Sequence, residues 1–60
     1  MMKEDIKDLI GRRIFVVLKS GRNYTGTIES IENNLVHLTD KFNLPVYFSI
    51  EDISSLEVKG

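Results

Sequence analysis

Few side chains in this sequence have types that do chemistry, and none is spaced for covalent chemistry. There is one histidine, His37, no cysteine, and carboxylates scattered along 60 residues. Catalysis needs a nucleophile beside a base, paired carboxylates in a cleft, or a metal, and the chain offers none of these patterns. One imidazole without thiols is too little for a zinc site. The chain therefore reads as non-enzymatic, with no metal, no cofactor and no small-molecule substrate. What remains is the chemistry of contact. Asn33-Asn34 presents amides, Arg12-Arg13 two guanidiniums, and Phe42 an aromatic ring in a short polar loop. Amides and guanidiniums hydrogen-bond bases and phosphates, and a base stacked on an aromatic is worth about 1–3 kcal/mol. Each has a plainer use as well. The asparagines suit a type I′ hairpin turn, the arginines a solvated junction, and His37 a half-buried, hydrogen-bonded place in a strand.

Charge sets the scale of any such contact. Eight basic and nine acidic residues give a net charge of −1, which is not the signature of bulk phosphate neutralisation. The distribution is uneven: Arg12, Arg13, Lys19 and Arg22 lie early, and Glu51, Asp52 and Glu57 lie late as a solvated acidic rim. A nucleic-acid contact would have to be a local patch. The longest apolar run, Ile14 to Leu18, is far short of the roughly 20 residues of a membrane span, and the start of the chain lacks a secretory apolar region. A soluble, cytoplasmic protein is expected.

The elements that must position these groups are short. Residues 3–10 read as an amphipathic helix, with Ile6, Leu9 and Ile10 on one stripe and Gly11 as its stop. Strands are expected over residues 14–19, 23–32, 35–40, 46–50 and 53–58, with turns at Ser20-Gly21 and Asn33-Asn34. Tyr24, Ile28 and Ile31 anchor the second strand, and Leu35, Val36 and Leu38 make the third mostly buried. Gly26, inside the second strand, marks a bulge, a bend or a close backbone approach. Glu51-Asp52 breaks the chain, as one turn of tight helix, before the last strand. The whole is a single domain, 1–60, mostly β: a short helix, then a strongly bent five-stranded antiparallel barrel of incomplete closure.

A chain of 60 residues buries only about 60% of its unfolded surface, and self-association is the remaining aid once disulfides and metals are excluded. An apolar open edge invites another copy. The residues expected at such an interface are Val46, Tyr47, Phe48, Ile53, Leu56 and Val58. Pairing of the fourth strand with the fifth strand of a neighbour is heterologous and closes into a ring.

The run Val17-Leu18-Lys19-Ser20-Gly21-Arg22-Asn23-Tyr24-Thr25-Gly26-Thr27-Ile28 resembles the first motif of Sm and Sm-like proteins. Asn34-Leu35-Val36-His37-Leu38 resembles the segment that closes that motif, and Gly11-Arg12-Arg13 the entry to the first strand. The resemblance implies an SH3-like Sm-fold barrel, a homo-oligomeric ring of six or seven copies, and single-stranded RNA, often uridine-rich, as ligand. It also implies a non-catalytic role in RNA processing or as an RNA chaperone. The chain departs from the family in the loop between the second and third strands, which is two residues shorter. Glu32 and Asn34 stand for the usual acidic residue and asparagine, and the base-stacking histidine has no counterpart. Where the family carries Arg-Gly before the last strand, this chain has Ser49-Ile50. Two other readings follow: a ring-forming adaptor that binds a protein partner, and an unrelated SH3-like monomer.

Overall fold

A computed structural model describes residues 6–59. Alternation of apolar and polar side chains produces five strands: β1 (Arg13–Leu18), β2 (Asn23–Glu32), β3 (Leu35–Asp40), β4 (Pro45–Ser49) and β5 (Ile53–Val58). A 3-10 turn, Ile50–Asp52, joins the last two, with Ser49 Oγ accepting from the Glu51 amide. The strands form one antiparallel sheet in the order β4-β3-β2-β1-β5. β4 and β5 are therefore its two edges.

That order and the length of the last connection together dictate the shape. Four inter-strand spacings make a flat sheet about 19 Å wide, and the four steps from Ser49 to Ile53 span at most about 14 Å. The sheet must curl until its edges approach at that end. Two backbone bonds hold the connection there: Ile50 N donates to Asn34 O at 2.8 Å, and Lys19 N donates to Asp52 O at 2.7 Å. Curling stops short of closure, since β4 and β5 form no ladder with each other among the described residues.

Two features of β2 make the curl. Its Gly26 packs so close to β3 that an added Cβ would stand 2.7 Å from Asp40 Cα and 2.8 Å from Thr39 C, with the Thr39 carbonyl oxygen nearer still. A bulge lies between Ile28 and Ser30 in the pairing with β3. Ile28 and Ile31 are three residues apart and would face opposite sides of a regular strand. The bulge turns both inward, opposite Leu38 and Val36. Inside the curl, Ile14, Val16, Ile28, Val36 and Leu38 are fully buried, joined by Ile6, Leu18, Phe48 and Ile50.

Several expectations change. Residues 3–5 of the expected helix lie outside the described residues. Within them only Ile6 and Lys7 are helical, and bonds from Leu9 to Ile6 and from Arg12 to Leu9 continue the segment as turns. The described residues thus contain no α-helical element. Ile6 still reaches the core, whereas Ile10 is exposed because the chain leaves helical geometry before the stripe is complete. The Gly11 amide donates to Ile28 O at 2.7 Å, so this segment is tied to β2. At the β2–β3 turn only Asn33 has positive φ, 58°. Type I′ needs both central residues there, so the turn is not type I′. Leu35, expected inside, is 48% exposed, because it shares its face with His37 while Val36 and Leu38 point inward.

Candidate functional site

The candidate contact residues separate to the two ends of β3. At one end is the Asn33-Asn34 turn, where β2 meets β3. Asn33 is exposed and Asn34 half-buried. The Asn34 carbonyl accepts the Ile50 amide, and Leu35 pairs with Ser49 across the β3–β4 ladder. The positions that the resemblance assigns to base contact, Asn34 on one loop and Ser49-Ile50 on the other, are thus brought side by side. Ile50 itself is buried in the core, which leaves the asparagine amides, Ser49 and the exposed carboxylates of Glu32, Glu51 and Asp52 as the polar groups of this end.

Phe42 sits at the other end, a strand of six residues and about 20 Å away. Its loop is built by Asp40. One carboxylate oxygen, Oδ1, accepts the amides of Phe42 and Leu44, each at 2.9 Å. The Asp40 carbonyl accepts the Asn43 amide at 2.9 Å, and Asn43 takes a left-handed conformation with φ 66°, which asparagine tolerates better than most residues. The loop thereby holds the Phe42 ring out in solvent, 70% exposed. Lys41 Nζ lies 5.5 Å from the ring centroid, a cation–π arrangement. Beside it are a small hollow lined by Tyr24, Thr25 and Phe42 and a larger concavity of about 440 Å³ lined by Arg13, Thr25, Thr27, Thr39 and Lys41.

The arginines divide as well. Arg12 and Arg13 are both exposed; Arg13 opens β1 opposite Thr27 and faces the larger concavity. Neither stands at the Asn33-Asn34 turn, since that turn lies at the far end of β2. No single surface gathers all five candidates. Tyr24 and Phe42 are both stacking surfaces by residue type, but type alone does not bring them together with Thr25 and Lys41. Their signal was the register, because Gly26 opposite Asp40 places Tyr24 and Thr25 beside the start of the β3–β4 loop.

On the edges, Tyr47 is 59% exposed and Val58 exposed, while Val46, Ile53 and Leu56 are half-buried against the core. Phe48 is a core residue, packed opposite Val36, so its side chain is not surface that a neighbour can reach. His37 is half-buried, and its ring stacks on Tyr47 across the β3–β4 ladder with centroids 4.7 Å apart and 12° between planes. The ring contact, not a hydrogen bond, is what positions it among the described residues. Glu51, Asp52 and Glu57 are exposed, the last paired with Lys59 at 3.8 Å. No helix among the described residues is long and apolar enough to cross a membrane.

Fold and site define a small all-β module with two unpaired sheet edges and two polar contact regions. A family model for the LSM domain matches residues 4–41, more than half of the chain, and the protein belongs to that family. A search among curated proteins found no match. Of solved structures, a chain in the mRNA decapping complex Dcp1:Dcp2, described for its activation by Edc3 and Scd6, is similar with a TM-score of 0.76 and 19% identity. The likeness covers 92% of this chain and 59% of that one. At that identity it shows the fold.

Proposed function

We propose that this LSM-domain protein is a non-catalytic, cytoplasmic, ring-forming binder of single-stranded RNA, with six or seven copies in the ring. The observation that carries the reading is the Asn34–Ile50 backbone bond. It joins the β2–β3 turn to the β4–β5 connection, so that the amides of Asn33 and Asn34 and the Ser49 hydroxyl share one end of the sheet. Assembly is supported by the edges. β4 and β5 each leave one row of backbone donors and acceptors unpaired by another strand, and pairing β4 of one copy with β5 of the next uses both rows. A ring would set the Asn33-Asn34 turns of all copies around one opening and complete the Sm-fold barrel between copies. Purified protein should bind short oligo-uridine or oligo-adenosine at physiological salt; no affinity for either would end the RNA reading.

A second reading is an adaptor of the same fold that holds a protein partner. It is favoured by the absence of the family's base-stacking histidine and of its arginine, with Ser49-Ile50 standing in the latter's place. The structural likeness to a chain of a decapping complex is consistent with it. Nuclease-insensitive capture of one specific protein supports the adaptor, and recovery of bound RNA counts against it.

A further inference from the structure

We infer that Phe42, Lys41, Tyr24 and Thr25, with Arg13 across the concavity, form a second nucleotide-binding site, complete within one chain, about 20 Å from the Asn33-Asn34 turn. It takes one unit of single-stranded RNA, with the base on the open face of Phe42 and the phosphate towards Lys41 and Arg13. The inference rests on the RNA reading above and adds a place that reading does not use.

Four observations converge on this ligand. The Phe42 ring is the most exposed large apolar side chain among the described residues, yet its backbone is fixed by the Asp40 carboxylate through the Phe42 and Leu44 amides. Little ordering entropy is then lost when a flat partner stacks on it. The adjoining concavity, which Phe42 and Tyr24 do not line, is walled by hydroxyls and an amide from Thr25, Thr27, Thr39 and Asn43, suited to a sugar-phosphate rather than an apolar side chain. The concavity, about 440 Å³, falls in the range of roughly 300–1,000 Å³ usual for small-ligand clefts and receives the sugar-phosphate, while the base lies over the smaller hollow lined by Tyr24, Thr25 and Phe42. Finally, Arg13 and Lys41 supply positive charge on two sides, and neither forms an ion pair among the described residues. Glu29 and Asp40 also line the concavity. Asp40 is engaged by the loop amides, and Glu29 sets the side from which a phosphate is turned away.

The test compares oligo-uridine and oligo-adenosine binding by fluorescence anisotropy in the full chain and three variants. Phe42→Leu keeps an apolar side chain without a π face and should weaken binding about 5- to 150-fold, the ratio given by the stacking range of about 1–3 kcal/mol. Phe42→Trp should retain it. Lys41→Gln should reduce the slope of log affinity against log salt by about 0.7. Circular dichroism checks that the fold persists, as expected for exposed positions. If the parent binds RNA and Phe42→Leu binds equally well, the second site is wrong and the RNA reading stands. If the parent binds neither oligonucleotide, both are wrong.

Discussion

Replacing Gly26 by alanine tests the origin of the bent sheet. The glycine has no left-handed φ, so the added methyl group costs nothing in backbone conformation. Its cost is contact. An ideal Cβ would stand 2.7 Å from Asp40 Cα and 2.8 Å from Thr39 C, where ordinary contact is 3.4–4 Å, and it would overlap the Thr39 carbonyl oxygen. All three atoms are backbone, so no side chain can swing aside. β3 must retreat from β2 by about 1 Å or more, which stretches both ladder bonds of the Thr27↔Thr39 pair beyond useful length; the Asp40 amide and carbonyl are turned to the β3–β4 loop. Two lost bonds at about 1 kcal/mol each, with about 1–3 kcal/mol for overpacking, give roughly 3–5 kcal/mol. A domain of this length has only about 3–9 kcal/mol in total. Gly21→Ala is the control: nothing lies within 4 Å of its Cβ position, but φ is +97°, so it should lose about 1–2 kcal/mol. The assay is urea unfolding followed by circular dichroism, at two protein concentrations because assembly shifts the midpoint. Gly26→Ala should be unfolded or much the weaker of the two. A Gly26→Ala protein as stable as Gly21→Ala would refute the close-approach argument.

Other perturbations follow from the same geometry. Ile28→Ala, at a fully buried site, should lose about 2–5 kcal/mol, read as a collapse of the urea midpoint. Asp40→Ala removes the acceptor of two loop amides and should cost about 1 kcal/mol, as loss of a side-chain cap does; this lowers the melting temperature by about 4–8 °C. The same variant should speed hydrogen exchange at Phe42 and Leu44 while leaving β1 unchanged. Tyr47→Glu, on the exposed face of edge strand β4, should lower the assembly mass in light scattering, whereas an unchanged mass would remove β4 from the subunit contact.

Local pattern was enough to place β2, β3 and β5 with the bounds that the structure has, because Ser20-Gly21, Asn33-Asn34 and Glu51-Asp52 mark the breaks between segments anchored by spaced apolar residues. β1 and β4 each begin and end one residue earlier than the expected 14–19 and 46–50. The 3-10 turn after β4 was also legible, from Glu51-Asp52 interrupting the apolar run. Facing was harder. Tyr47 and Phe48 are consecutive and so point to opposite sides of β4, yet only the register with β3 decides which enters the core. Residue type alone suits both to an interface, whereas Phe48 lies in the core and Tyr47 is exposed. The β2 bulge had a readable sign in the odd spacing of Ile28 and Ile31. The turn type at Asn33-Asn34 had none, since asparagine serves several turn conformations equally well.

The candidate site shows the same division. Residue types named Asn33, Asn34, Phe42, Arg12 and Arg13 as contact groups, but composition carries no information about which end of a strand each will occupy. The chain order Asn34, then the six residues of β3, then Phe42 contains that answer once β3 is accepted as a strand. The grouping of Tyr24 and Thr25 with Phe42 is different in kind, for it depends on the β2–β3 register and its bulge.

Native mass spectrometry, with and without nuclease treatment, tests the central claim most directly. A closed assembly of six or seven copies of the 6.9 kDa chain is expected, with added mass that nuclease removes. A lone 6.9 kDa species at working concentration, free of nucleic acid, would contradict it.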